Sequence, residues 1–384
     1  IEGFGDYGFP ESHAASFALL VYASCWFKTF YPDVFCAAIL NSQPMGFYAP
    51  AQLVRDARDH GIEIREVDVN FSAWDCKLEE STFDPRGVID RHASMRGVIK
   101  SRHAVRLGFR QIKGLSEDRM AAFTARRGEG YASVRDVWLR SGLDAGEIEK
   151  LAEADAFRSL GIDRRDALWA VRALDGKSAA EKLPLFDRPG IRLSDLEPQA
   201  MLPAMPLSEH VIHDYHSLGL SLKAHPVGFL RGRLDRYGVT PNALLPSVKG
   251  GRRVRVAGLV LVRQRPGKGN AIFLTLEDEK AVANVILWPR VFERFRPVVM
   301  GARFVCVTGK LQSESGVVHI VADRIEDLTP WLAVLREGAG QAAENMALHD
   351  GPSAARRQGG PPCPDNAALV HETQKVMPKG RNFQ

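Results

Sequence analysis

The chain has 384 residues, 45% of them hydrophobic, and a formal net charge of +5. That is apolar material for more than one core and two to four domains, and so slight a charge excess permits a nucleic-acid partner without requiring one. No apolar run approaches the ~20 residues that span a bilayer, and the five scattered cysteines (Cys25, Cys36, Cys76, Cys306, Cys363) have no CxxC spacing, which excludes a disulfide frame or a zinc site and reads as reduced thiols of a cytoplasmic protein.

No signal peptide is evident. The first residue is Ile1 and stands inside a motif-like stretch, so the expectation is a piece of something longer. Gly3 to Ser42 reads as helical: Pro10-Glu11-Ser12 is a start signal, and Ala14 to Phe30 is apolar on nearly every face. Such helices are expected to be buried within a larger assembly. Pro32 and Pro50 each open a further helix, and Ile62 to Val69 and Trp74 to Leu78 read as short strands. Ser12 and His13 have a plain alternative reading, a helix cap beside a packed histidine. Thr82 to His103 is polar and without period, and predicts a loop or insertion over 81–103.

From Val105 the pattern changes. Ile112-Lys113-Gly114-Leu115-Ser116 is a turn that leads into a helix from Glu117 to Arg127. It reads as the hairpin of a helix-hairpin-helix element, whose glycine allows close approach to a phosphate and whose following N–H groups can bind it. Ser141-Gly142-Leu143-Asp144 reads as a second copy, and the pair points to sequence-independent duplex binding through Lys113, Gly114, Ser116 and Gly142. Asp163 to Leu174 predicts one more amphipathic helix. Proline then recurs through Asp175 to Pro206, a linker holding Leu183-Pro184-Leu185-Phe186. A Leu-x-Leu-Phe box of this kind can dock in a partner's apolar pocket or cover its own domain. Residues 207–248 read as a helical connector in which His225-Pro226 fixes a turn.

Arg252 to Leu328 is a run of short strands. Arg252 to Val262 alternates as a strand, Arg263 to Asn270 turns, and Ala271 to Glu277 and Ala281 to Trp288 alternate again. A helix is expected from Pro289 to Val298, then strands at Arg303 to Leu311 and Gly316 to Ala322. Five strands with a helix between the third and fourth is the plan of an OB-fold barrel, a single-strand nucleic-acid binder. Its expected contacts are Arg252, Arg253, Arg255, Arg263, Arg265, Lys268 and Phe273. Glu277-Asp278-Glu279 reads as a solvated turn. After one short helix, the Gly-, Ala- and Pro-rich tail is expected to be disordered through Asp365. No phosphate loop, HExxH, nucleophile elbow or pair of metal-binding aspartates is evident. The fold class is therefore multidomain α+β: helices, a tandem helix-hairpin-helix region and a carboxy-terminal OB-fold.

Phe4-Gly5-Asp6-Tyr7-Gly8-Phe9-Pro10-Glu11-Ser12-His13-Ala14-Ala15-Ser16-Phe17-Ala18 and Leu40-Asn41-Ser42-Gln43-Pro44-Met45-Gly46-Phe47-Tyr48 closely resemble the error-prone bacterial DNA polymerases of the C family, the damage-inducible DnaE-like type. The resemblance continues through Ala154-Asp155-Ala156-Phe157, Leu220-Ser221-Leu222-Lys223-Ala224-His225-Pro226 and the strand run, and ends on Met377-Pro378-Lys379-Gly380-Arg381-Asn382-Phe383. It implies that residues 1–80 end the polymerase fingers, with Ser12, His13 and Lys28 near the incoming nucleotide or template. It further implies that 104–174 lie on duplex DNA, and that 249–328 are an OB domain near the single-stranded template. Leu183, Leu185 and Phe186 fall where replicative relatives carry a sliding-clamp box, without its leading Gln. A sliding clamp or mutasome accessory proteins are thus candidate partners beside primer–template DNA. The family's PHP domain and palm lie upstream of residue 1, so the chain alone is expected to bind primer–template without polymerising and to hold no cofactor, with Mg2+ and dNTPs belonging to the full-length enzyme. Two alternatives stay open: a piece of the replicative alpha subunit, and a stand-alone DNA-binding or scaffold protein.

Overall fold

Proline can open a helix because its missing N–H is not needed in the first turn, and this sets the start of two amino-terminal helices. After α1 (Glu11–Phe30), Pro32 begins α2 (Pro32–Asn41) and Pro50 begins α3 (Pro50–Asp59). The computed structural model describes residues 11–44, 48–174, 204–266, 270–314, 317–335, 375–377 and 381–383. It divides into two units, Ile1–Leu202 and Pro203–Gln384. No helix among the described residues is long and apolar enough to cross a membrane.

In the first unit α1 leaves much of its apolar surface in solvent, with Leu19 73% and Tyr22 72% exposed; α2 instead buries Leu40 completely. A small sheet follows: β1 (Ile64–Arg65) runs parallel and β2 (Lys77–Glu80) antiparallel to β3 (His103–Arg106). Arg65 and Arg106 converge on the Glu79 carboxylate at 2.6 and 2.9 Å. The stretch expected to be a loop before β3 is a packed cover. Val88 and Ile99 are buried, and Arg96 donates to the Val88 carbonyl at 2.9 Å. Asp33, fully buried in α2, accepts from the Ser101 hydroxyl at 2.6 Å and the Arg102 N–H, with His103 Nδ1 at 3.1 Å. A carboxylate out of water must be satisfied this way, and here it ties the cover to α2.

Four short helices complete the unit: α4 (Glu117–Ala125), α5 (Val134–Ser141), α6 (Ala145–Glu153) and α7 (Arg164–Arg172). Phe109, Phe123, Trp138, Ile148, Leu151 and Phe157 are buried between them. Asp155, the one positive-φ residue other than glycine among the described residues (φ 61°), turns the chain so that the Ala156 carbonyl accepts the Val69 N–H at 2.8 Å.

The second unit opens with α8 (Leu207–Ser217) and α9 (Arg231–Arg236). Between them the Val227 N–H donates to His225 Nδ1 at 3.2 Å, so this histidine caps a turn as expected. The barrel has the expected five strands: β4 (Arg253–Gln264), β5 (Ile272–Glu277), β6 (Val282–Leu287), β7 (Phe304–Glu314) and β8 (Val317–Asp327), with α10 (Pro289–Gly301) between the third and fourth. β4 pairs with β5 and β7, β5 with β6, β6 in parallel with β8, and β8 with β7, which closes the ring. Val256, Leu274, Val285, Val307 and Ile320 fill its interior. A second apolar cluster lies outside it, where Val227, Leu230, Leu234 and Val239 of the connector cover Ala257 and Leu259 of β4. A further strand, β9 (Arg381–Phe383), joins β4 in parallel.

Two expectations are corrected in this unit. Glu277-Asp278-Glu279 is no solvated turn: Asp278 is fully buried and accepts the N–H groups of Asn242 (2.7 Å), Lys280 (2.8 Å) and Ala281 (2.8 Å) and the Arg231 guanidinium (3.1 Å). Arg231 also pairs with Glu279 at 2.8 Å, and burial of a charge demands such partners. The short helix expected after the barrel is a 3-10 turn, Thr329–Leu335, whose Leu332 and Leu335 are buried in the second cluster.

Breaking the buried carboxylate cluster leaves unpartnered polar groups. Asp278→Ala should therefore lower the unfolding free energy by about 3–5 kcal/mol in a urea titration. Arg231→Met should cost less, because three backbone N–H groups still serve the carboxylate. In the first unit, Gly142 and Gly161 have φ of +77° and +75°, but a Cβ on Gly142 would stand 2.0 Å from the Arg126 guanidinium while one on Gly161 meets nothing within 4 Å. Gly161→Ala should cost about 1–2 kcal/mol by backbone strain alone. In the same titration Gly142→Ala should cost that strain plus about 0.5–1.5 kcal/mol for the hydrogen bond to the Ser141 carbonyl that Arg126 gives up as its tip swings clear.

Candidate nucleic-acid interface

A helix N-terminus offers N–H groups to an anion only if its own cap leaves them open. Three turns in the first unit are built alike, a left-handed glycine, an apolar residue and a Ser or Asp at the N-cap position: Gly114-Leu115-Ser116, Gly142-Leu143-Asp144 and Gly161-Ile162-Asp163. Their glycine φ values are 82°, 77° and 75°. The third turn was missed in the sequence, although the Gly-apolar-Asp spelling was there to find it.

The three helix starts differ in what already occupies them. Asp144 accepts the Glu147 N–H at 2.8 Å, and Glu147 reaches back to the Asp144 N–H at 3.0 Å, a closed capping box on α6. Asp163 likewise takes the Asp166 N–H at 3.0 Å on α7. Ser116 makes no side-chain cap on α4, so the first turn keeps N–H groups open to an external phosphate. Glu117 and Asp118 in that same turn oppose an anion by charge. Lys113 and Gly114 are exposed beside it, and Lys150 donates to the Gly114 carbonyl at 2.7 Å, a bracing role not foreseen from the sequence. The second turn lies against the first helix: Arg119 of α4 donates to the Gly142 carbonyl at 2.9 Å and Arg126 to that of Ser141 at 2.8 Å. The protein's own guanidinium groups take up the second turn.

On the barrel, period-two alternation sends Ile272, Leu274, Leu276, Ala283, Val285 and Leu287 inward. Phe273 then lies opposite Ile286 and Thr275 opposite Asn284 on the outer face. Trp288 continues that face and is 51% exposed. Asn284 aligns with His319 of β8 and His319 with Gln312 of β7, which carries a polar row round the barrel beside the aromatic pair. Aromatic rings and hydrogen-bonding side chains on the second and third strands are what an OB barrel presents to unstacked bases. Phe273 was expected here; Trp288 was not, because the sequence leaves it as the last residue of a strand.

The expected arginines do not form one surface. Arg253 and Arg255 lie at the far end of β4 from the β4–β5 tip. Arg253, exposed like Arg252, pairs with Asp323 at 3.4 Å. Arg255 stacks its guanidinium 4.7 Å over the Tyr237 ring and donates to the Tyr237 carbonyl at 2.6 Å. Arg263 is overturned as a contact: it is 5% exposed and donates to the Val299 carbonyl at 2.6 Å and to that of Ala302, closing the end of α10. Burial draws its pKa down from the usual arginine range. Arg265 is exposed at the tip, and Lys268 lies outside the described residues, as do Leu183, Leu185 and Phe186. In the first unit Ser12 and His13 are exposed on α1, the His13 ring 4.5 Å from that of Phe17, while Lys28 pairs with Asp56 at 3.0 Å.

Comparison with known proteins accounts for both regions. A helix-hairpin-helix motif family matches residues 61–167, and an OB-fold nucleic acid binding domain family matches residues 254–328. An error-prone DNA polymerase of Mesorhizobium japonicum is 73% identical over 393 residues, covering 100% of this chain and 35% of its own length. Error-prone DNA polymerase 1 of Rhizobium meliloti is 57% identical, covering 100% and 36%, and that of Sinorhizobium medicae is 55% identical, covering 100% and 36%. The chain thus spans about a third of the length of the curated relatives it matches. Along its whole length, the chain is similar in sequence to about a third of each of these error-prone DNA polymerases.

Proposed function

We propose that this chain holds DNA for an error-prone, DNA-directed DNA polymerase acting in damage-induced mutagenesis and translesion synthesis in the cytoplasm. The first glycine turn takes a phosphate of duplex DNA, and the β5–β6 face of the barrel takes the single-stranded template. The observation that carries this reading is the 73% identity to an error-prone DNA polymerase along the whole chain. The open start of α4 and the outer face that holds the half-buried Phe273 and the exposed Trp288 supply the physical means. Incoming dNTPs, a sliding clamp and accessory proteins of the mutasome belong to the same proposal as partners of the complete enzyme. The Mg2+ that phosphoryl transfer uses finds no ligand set among the described residues, where no three His, Cys, Asp or Glu side chains group to hold a metal ion.

The chemistry of the two regions separates them experimentally. Stacking is a contact with bases, so Phe273→Ala and Trp288→Ala should each weaken binding of a fluorescent oligo-dT by about 1–3 kcal/mol, on the order of 5- to 150-fold in Kd, with the salt dependence unchanged. Binding of blunt duplex should stay as it was. Lys113→Ala should do the reverse, lowering duplex affinity and reducing the slope of log K against log salt by about 0.9. Fluorescence anisotropy across a salt series reads both. A chain that binds neither substrate at low salt would end the proposal, and equal losses on both substrates from every variant would end the division of labour.

A further inference from the structure

β4 changes partners along its length. Its first part pairs with β7 as far as Leu259 opposite Phe304, and its second part pairs with β5 as far as Gln264 opposite Phe273. Beyond Leu259 the edge that β7 served is left over, apart from one bond from the Val260 N–H to the Arg303 carbonyl at 2.8 Å. An open edge beside a nucleic-acid face is a row of unpaired backbone groups. In this protein it is filled from the far end of the chain. Arg381, Asn382 and Phe383 of β9 run parallel to β4 in register with Val262, Arg263 and Gln264.

Three residues of pairing hold a strand weakly by themselves, but β9 has an anchor. Met377 is 1% exposed and sits in the second apolar cluster with Phe304, Leu328, Leu332 and Leu335, and Val376 packs against that cluster. Arg303, from the segment just before β7, donates to the Met377 carbonyl at 2.6 Å. An apolar plug and a charge-assisted hydrogen bond thus hold the segment a few residues before the strand begins. The register then places Phe383 in the same row as Gln264 and Phe273, next to the β4–β5 tip.

We infer that the carboxy-terminal segment is a clip that completes the single-strand-binding face: Met377 locks it to the barrel, and Arg381–Phe383 widen that face by one strand and hold the β4–β5 tip in place. The ligand class is an extended single strand of DNA, so the inference rests on the function proposed above and adds a positioning element to it. Nothing in the chemistry requires the clip to touch duplex DNA.

The test compares the full chain with a chain lacking residues 375–384 and with Asn382→Pro. The proline variant removes a strand N–H and blocks pairing while leaving the anchor and all charges. Amide hydrogen exchange at Val262–Gln264 reports the clip itself, and anisotropy with oligo-dT and blunt duplex reports its use. Both variants should lose protection at Val262–Gln264 and bind oligo-dT on the order of tenfold more weakly, the worth of about one stacked base, with duplex binding unchanged. Unchanged protection in both variants would overturn the clip. Lost protection with unchanged oligo-dT affinity would overturn its role on DNA. An intact chain that bound duplex but no oligo-dT would sink the barrel's proposed function, a result that the parent chain alone reveals and that is distinct from either failure of the variants.

Discussion

A five-stranded sheet closes into a barrel only if its first strand is paired along both edges in staggered register, and here β4 carries that constraint, with β7 along one edge and β5 along the other. Its register shifts between Val260 and Val262 where the change occurs, as a bulge does when it increases local twist. The consequences reach every other feature of the second unit. Because β4 is packed on both faces, with Val256 and Val260 inside the barrel and Ala257 and Leu259 under the connector helices, it reads as a nearly unbroken apolar run. Its arginines are thereby sorted by position: Arg255 falls on the face that the connector covers, Arg263 turns inward past the bulge, and Arg265 emerges at the tip.

That sorting explains what was legible in the sequence and what was not. The five strands and the helix between them follow from alternation, which survives in β5 and β6 because one face of each meets the core and the other meets solvent. The fate of each arginine does not follow, since an alternating pattern says which residues share a face but not what lies against that face. The connector that covers β4 leaves no mark on the spelling of the strand, and the carbonyls at the end of α10 that receive Arg263 are remote in sequence. The acidic triplet misled for the same reason. Glu277-Asp278-Glu279 is spelled like a surface turn, and only the arrival of Arg231 and the Asn242 N–H makes Asp278 a buried hub.

The first unit shows the complementary case, a local code repeated three times and read twice. Each turn requires a left-handed residue followed by a cap, a demand that short-range sterics alone impose, and so the spelling recurs wherever the geometry does. What the local code leaves open is whether the helix start is available. A serine that makes no cap and an aspartate that closes one are interchangeable as turn formers but opposite as anion sites. The difference between Gly114 and Gly142 lies further off still, in Lys150, Arg119 and Arg126, which reach the two turns from neighbouring helices.

Taken together, the two units solve a common problem of binding a polyanion without wasting cations on the fold. Of the five arginines that the sequence assigns to single-stranded DNA, Arg255 is spent on Tyr237, Arg263 on carbonyls and Arg253 on Asp323. Other arginines serve the protein likewise: Arg119 and Arg126 a turn, Arg65 and Arg106 Glu79, Arg231 Asp278 and Glu279. A net charge of only +5 is then no obstacle to nucleic-acid binding, provided that the remaining contacts depend on open backbone N–H groups and aromatic faces more than on long-range attraction. Such contacts act at short distance and demand exact placement, and placement is what the buried ion pairs, the capped turns and the strand returned from the carboxy terminus all provide.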